Sequence, residues 1–322
     1  MTPRVSVVVP TYRRPELLAR CLAALTAQTL PPTEYEVVAA DDAASDTTRV
    51  LVESVRAPVA VRYVPVTGNH GPAAARNAGW RAARGAVIAF TDDDTVPDPG
   101  WLAAGLAPFD RDPELAAAAG RTEVPLPPRP TDYERNESGL ATAEFVTANC
   151  FVRRSVLEEV GGFDERFRAA WREDSDLHFV LLERGWKVIK VPDAVVVHPV
   201  RPAPWGVSLR QQRKAQYDAL LSKKHPALYR RRIPHGRPWG YYGIVASLGA
   251  GAVAAFAGAV PVALAAAAVW TALTARFLAR RLRGNSLAPR HVAEMVVTSA
   301  LIPPLSVFWR LYGAARFRAR FF

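Results

Sequence analysis

Only two of the 322 residues are cysteine, Cys21 and Cys150, so no disulfide framework organises this chain, and such sparing use fits a reducing compartment. Acidic residues are almost missing from the last third: residues 201–322 hold 2 Asp and Glu against 19 Lys and Arg, a net +17. Residues 1–200 reverse the balance, with 28 acidic and 22 basic side chains, a net −6, so the overall +11 conceals two regions of opposite sign. From Pro238 to Ala275, 38 residues pass without one Asp, Glu, Lys or Arg. A basic half often marks a nucleic-acid binder, but here the basic residues flank long apolar runs. An anionic membrane surface suits that pattern better, and nucleic acid is not expected as a partner. The first apolar run, Val5–Val9, is too short for a signal peptide and meets Pro10 at once.

As one helix the uncharged stretch would measure about 57 Å at ~1.5 Å per residue, nearly twice a hydrocarbon core of ~30 Å. Two spans joined by a turn at Gly258-Ala259-Val260-Pro261 fit better; a buried helical pair in a soluble protein is the alternative. Basic clusters bracket the hairpin, Arg230, Arg231, Arg232 and Arg237 before it and Arg276, Arg280, Arg281 and Arg283 after it. The positive-inside bias then puts both ends, and the first 200 residues, in the cytosol. The last apolar run, Met295–Trp309, has 15 residues and contains Pro303-Pro304. With Arg316, Arg318 and Arg320 behind it, it reads as an interfacial helix rather than a third span.

The first 200 residues alternate strand and helix. Arg4–Pro10, Tyr35–Ala40, Val59–Val64 and Gly85–Phe90 read as strands, and Pro15–Leu30, Asp46–Val55 and Gly71–Arg84 as helices. Such alternation predicts an α/β fold with a doubly wound, mostly parallel sheet, in which ligands bind beyond the carboxyl ends of the strands. Pro10-Thr11-Tyr12, Asp41-Asp42 and Asp92-Asp93-Asp94 all fall at such ends. Three adjacent carboxylates repel one another and are costly to hold at a buried strand end without a cation; Mg2+ or Mn2+ takes oxygen ligands of this kind together with substrate phosphates. Residues 121–132, rich in proline, read as an ordered loop near an acceptor site. The domains expected are 1–205 (α/β), 206–237 (basic, juxtamembrane), 238–281 (hairpin) and 282–322 (interfacial helix and basic tail).

Five segments resemble, in order, those of family-2 glycosyltransferases, inverting enzymes of the GT-A fold: VSVVVPTYRR, AADDAASDTT, GNHGPAAARNAG, FTDDDTVPDPGWL, and GGFDERF with REDSDLHFVLLERG. The second departs from the family pattern, with Ala43-Ala44 in place of Gly-Ser. The resemblance implies an enzyme of the bacterial inner membrane with a cytoplasmic catalytic domain. Its donor would be a nucleotide-diphosphate sugar, by preference a UDP-sugar, and its acceptor lipid-linked or a glycan.

Carried over residue by residue, the resemblance makes Asp94 the principal metal ligand, with Asp92 and His198 beside it. Pro10, Thr11, Arg13, Asp42, Arg76, Asp92 and Asp93 would line the nucleotide-sugar, Asp42 reading the uracil imide. Asp174 in Glu173-Asp174-Ser175-Asp176 would be the general base. Plain readings stand beside these: a helix cap or turn role for Asp41-Asp42, a helix cap at Asp46, a solvated helix arginine for Arg76, a structural His198 and helix-start carboxylates at Glu173 and Asp176. A processive polysaccharide synthase is an alternative, but no Gln-x-x-Arg-Trp follows at Leu209–Lys214. A sugar nucleotidyltransferase would carry glycines in VVVPTYRRP, and a non-catalytic receptor would have lost its carboxylates.

Overall fold

The computed structural model describes residues 2–233 and 238–321; Arg237 and the expected boundary at residue 237 lie outside them. Its strands are β1 (Val5–Thr11), β2 (Tyr35–Asp41), β3 (Ala60–Pro65), β4 (Val87–Phe90), β5 (Val96–Pro97), β6 (Leu115–Glu123), β7 (Cys150–Arg153) and β8 (Lys187–Val197). They form one sheet in the order β3-β2-β1-β4-β7-β6-β8-β5. The β3-β2-β1-β4 half is parallel, as the alternating pattern predicts. The other half is mixed: β7 runs antiparallel to both β4 and β6, β5 antiparallel to β8, and β6 parallel to β8.

Helices α1 (Pro15–Thr26), α2 (Asp46–Ser54), α3 (Pro72–Ala82) and α4 (Trp101–Arg111) follow the first strands. Side chains alternate across the pleat, so β1 serves two cores. Val5, Val7 and Val9 pack with Leu18, Leu22 and Trp101 of α1 and α4, while Val8 packs with Val38, Ala73 and Trp80 on the α3 side. The fit of α3 leaves no slack: a Cβ at Gly79 would sit 2.4 Å from Val8 Cγ1.

The chain divides into two compact units. The first is Met1–Pro125 with Ser138–Val200, and holds the sheet. The second is Leu126–Glu137 with Arg201–Phe322. The first unit therefore ends close to the expected residue 205, but it is discontinuous. Residues 126–137, expected within the α/β domain and in part as its proline-rich loop 121–132, group with the second unit through α5 (Asp132–Glu137). The cause is polar: the Asp132 carboxylate accepts from Arg281, Arg135 donates to Asn285 and Gly284, and the Ser286 N–H donates to the Pro130 carbonyl. Helices α6 (Arg154–Val160) and α7 (Glu173–Glu183) complete the first unit.

In the second unit, the basic segment forms short helices α8 (Val207–Gln211), α9 (Gln216–Lys224) and α10 (Pro226–Arg232). Three longer helices follow, α11 (Trp239–Phe256), α12 (Val260–Leu282) and α13 (Pro289–Phe317). The turn at residues 257–259 stands where the sequence put it. By length and composition all three could cross a membrane, with mean hydropathies of 1.3, 1.7 and 1.5. The difference from expectation is α13, which runs for 29 residues straight through Pro303-Pro304. Two prolines remove two backbone bonds without ending a helix whose flanks are otherwise satisfied, as membrane helices tolerate.

Candidate active site

At the carboxyl end of β4, the turn that follows splits the three aspartates. Asp92 and Asp94 stand with His198, the residue after β8, and one ligand atom from each lies within 4.8 Å of the others. His198 Nε2 is 3.4 Å from Asp94 Oδ1, and both side chains are largely covered. Asp93 turns to the other side. Its Oδ2 accepts from Thr11 Oγ1 at 2.7 Å and its Oδ1 from Arg14 at 3.2 Å. Burial pushes the Asp93 carboxyl up to about 6, while Arg14 and Thr11 pull the other way. Thr11 and Asp93, expected at the nucleotide, thus bond to one another, and Arg14 is a partner that the sequence reading missed. Arg13, at φ 54°, occupies the left-handed region and lies over the Tyr12 ring, 5.4 Å from its centre, while Pro10 is half-buried at the end of β1.

The Asp41-Asp42 pair divides its labour. Asp41 is fully buried and accepts from the N–H groups of Ala43 and Ser45, which is the turn role weighed for the pair. Ser45, rather than Asp46, caps α2 by accepting from the Thr48 N–H. Asp42 reaches across to the start of α3, where its two oxygens accept from the Gly71 N–H at 3.1 and 3.0 Å. His70 Nδ1 is 3.1 Å from the same carboxylate. Gly71 has φ +116°, and a Cβ there would press on the Arg168 backbone at 3.1 Å, so only glycine presents its N–H to Asp42 without strain.

Arg76 is not a solvated helix arginine. Its side chain is 3 % exposed, and its guanidinium donates to Asp92 Oδ1 at 2.7 Å and to Glu173 Oε1 at 3.0 Å. Arg76 Nε and Glu173 Oε2 are buried without a hydrogen-bond partner. The neighbouring Asn77 faces the other way, binding the Phe163 backbone through both its oxygen and its nitrogen, with Glu165 and Trp80 as further partners. Consecutive residues of α3 therefore hold the carboxylate site and the Gly161-Gly162-Phe163 loop. Only the adjacency of Arg76 and Asn77 in the sequence hinted at this.

Asp174 lies in the first turn of α7, half-buried, its Oδ1 accepting from the Ser175 N–H at 2.6 Å. Burial raises both Asp174 and Glu173. The Ser175 N–H and Arg172 oppose the rise at Asp174, and Arg76 opposes it at Glu173. Asn149 and Cys150 have structural positions. Asn149 receives the Trp101 indole N–H and donates to the Arg121 and Ala194 carbonyls, and Cys150 is buried in β7 with its thiol pushed up by burial.

The chain matches the model of glycosyl transferase family 2 over residues 6–161 and that of glycosyl transferase family group 2 over residues 87–309. It belongs to the family-2 glycosyltransferases. A glycosyltransferase of Haloferax volcanii, AglE, is 29 % identical over 222 residues, 65 % of this chain and 71 % of its own length. The validoxylamine A glucosyltransferase of Streptomyces hygroscopicus subsp. limoneus is 28 % identical over 70 % of this chain, which spans 58 % of that protein. Among solved structures, the mannosyltransferase PcManGT from Pyrobaculum calidifontis, in complex with GDP-Man and Mn2+, is similar at a TM-score of 0.54 and 23 % identity. The likeness covers 99 % of this chain and 88 % of that one and shows the shared GT-A fold.

For this glycosyltransferase the residues present fit a divalent cation. Two carboxylates and an imidazole converge, a donor set suited to Mn2+ and, through its oxygens, to Mg2+. Arg76 fixes Asp92 from behind through Oδ1, the kind of outer-shell hydrogen bond that orients a ligand.

Proposed function

We propose that this glycosyltransferase moves a sugar from a nucleotide diphosphate to an acceptor hydroxyl or phosphate with inversion, in a single in-line displacement. The convergence of Asp92, Asp94 and His198 at the strand ends carries the reading. A divalent cation held there would offset the charge that grows on the leaving diphosphate. Asp174 takes the acceptor proton. A carboxylate whose pKa burial has raised is the stronger base for it, and this one still sits where a helix N-terminus favours ionisation.

Asp42 supports a UDP-sugar donor. Held by Gly71 and His70, its carboxylate keeps lone pairs that suit an imide N–H. Pro10, Arg13 and Thr11 belong to the same strand end, and Thr11 with Asp93 would shape that wall from within. The apolar helices support a membrane location, with the α/β unit on the basic, cytoplasmic side and a lipid-linked or glycan acceptor. On this reading α13 lies in the interface.

The test is the purified full-length protein in detergent, offered a panel of UDP-, GDP- and CMP-sugars with polyprenyl phosphate or a glycan acceptor. Nucleotide release that needs Mn2+ or Mg2+ and stops with EDTA is the expected result. Release unaffected by excess EDTA removes the metal from the proposal, and tighter binding of GDP than of UDP removes uracil reading by Asp42.

A further inference from the structure

Three arginines near the end of α12 have different fates. Arg281 is 7 % exposed and turned inward, where Asp132, Thr298 and Ser299 meet its guanidinium. Arg276 and Arg280 are exposed, and among the described residues neither has an ion pair or hydrogen bond. They stand four residues apart, and therefore on one face of the helix, where like charges repel. Between them and α11 lies a pocket of about 240 Å³, lined by Gly240, Tyr241, Ile244, Leu273, Phe277 and the two arginines themselves. Its floor is apolar and aromatic, with Tyr241 edge-on to Phe277 at 5.2 Å. The mouth is open at Gly240, where a Cβ would find only Arg280 Nη2, at 3.9 Å. No acid lines it.

An apolar pocket with two uncompensated cations on its rim is complementary to one chemistry, an anionic head on a hydrocarbon chain. We propose that this pocket holds one anionic glycerophospholipid of the surrounding bilayer, its phosphate bridging Arg276 and Arg280 and its chain lying against Leu273 and Phe277. The proposal rests on the membrane reading of α11 and α12. Basic residues at a membrane surface attract anionic lipid in general, but that attraction is diffuse, whereas a bridged phosphate depends on two particular guanidiniums. The lipid would neutralise the Arg276–Arg280 repulsion and, lodged against both Tyr241 of α11 and Phe277 of α12, hold the hairpin ends together.

Native mass spectrometry of the full-length protein released from detergent, with equal phosphatidylglycerol and phosphatidylcholine added, tests this. One phosphatidylglycerol should be retained in preference to phosphatidylcholine by roughly thirtyfold, for two guanidinium contacts at a membrane surface. Arg276→Gln with Arg280→Gln should abolish the preference, and Arg283→Gln with Arg290→Gln, which removes the same two charges outside the pocket, should keep it. Melting temperature measured in parallel should rise with phosphatidylglycerol for the parent and not for the double variant. Equal retention of the two lipids, or a preference that survives the double substitution, overturns the site. Displacement of phosphatidylglycerol by an equimolar polyprenyl phosphate overturns the choice of occupant. Failure of the membrane reading shows separately, as a protein that stays in aqueous solution once detergent is withdrawn.

Discussion

Each unit buries one arginine against aspartate, and the two are finished differently. In the second unit Arg281 directs Nε and Nη2 to Asp132 and Nη1 to Thr298 and Ser299, while Asn285 takes its carbonyl. In the first, Arg76 spans Asp92 and Glu173 but leaves its own Nε and Glu173 Oε2 unpartnered, with Asp174 next in sequence. A satisfied buried network specifies one packing, while a half-satisfied one costs stability. Carboxylates in excess over cations, with orphan polar atoms, suit the proposed roles of holding a cation and taking a proton. On the proposed function, the Arg281 network belongs to architecture and the Arg76 network to chemistry.

The most severe way to probe the second half of that contrast is to remove Asp94, the principal ligand of the proposed cation. Asp94→Ala should bring turnover to background and weaken metal-dependent nucleotide binding, with the fold kept, as circular dichroism and calorimetry would report. Unaltered Mn2+-dependent UDP binding by this variant would take Asp94 out of the site. Next in size is Asp174→Asn, which keeps shape but cannot accept a proton. It should lower kcat by roughly 10²–10⁴-fold, the range of general-base loss, and leave donor Kd nearly unmoved. If Asp176→Asn lost activity instead, the base would be misassigned within the motif.

What the sequence disclosed follows from which forces are local. The strand runs, the turn at Gly258-Ala259 and the placing of the three aspartates beyond a strand end depend on periodicity and on residues close in the chain, and all stand in the structure. Partners 97 residues apart, such as Arg76 and Glu173, leave no local trace. On an alanine-rich helix such as α3, a solvated Arg76 stays open beside its reading as a nucleotide-sugar residue, because nothing nearby marks its face as buried. Asp93 was grouped with its neighbours by composition, although a turn sends adjacent side chains different ways. The excursion of residues 126–137 into the second unit depends on Arg281, about 150 positions later, and so was illegible. In α13, Pro303-Pro304 suggested a break that the surrounding helix overrides.

A paired substitution sets the two arginines against each other. Lysine keeps the charge but loses the fork that reaches two partners at once. Arg76→Lys should lower kcat/KM by about 10²-fold, the scale of a misplaced reacting group, with little change in melting temperature. Arg281→Lys should do the reverse, costing about 2 kcal/mol of stability, the scale of one charged hydrogen bond left unmade, with kcat/KM within a few-fold of the parent. Similar profiles for both variants would erase the distinction between architecture and chemistry.

The smallest effect expected is a pH dependence belonging to architecture within the first unit, and it shows that a buried charge there can also be complete. Glu36 on β2 is 1 % exposed, with Ser6, Arg62 and both the side chain and the backbone N–H of Arg84 donating to it. Burial alone would raise its carboxyl, but those donors outweigh burial and hold it below the usual carboxylate value. A pKa lowered on folding means that the unfolded chain binds the proton more readily. The stabilisation is therefore fully present above the unfolded value of about 4.3 and is lost as pH falls through the lower, folded value. Glu36→Gln should cost about 1–2 kcal/mol at pH 7, a charged hydrogen-bond network reduced to a neutral one. Its melting temperature should also fall less than the parent's between pH 6 and 3, because the variant has no proton to take up there. Parallel melting curves for the two proteins across that range would mean that the Glu36 carboxyl has the same pKa folded and unfolded, so that its donors do nothing for its charge.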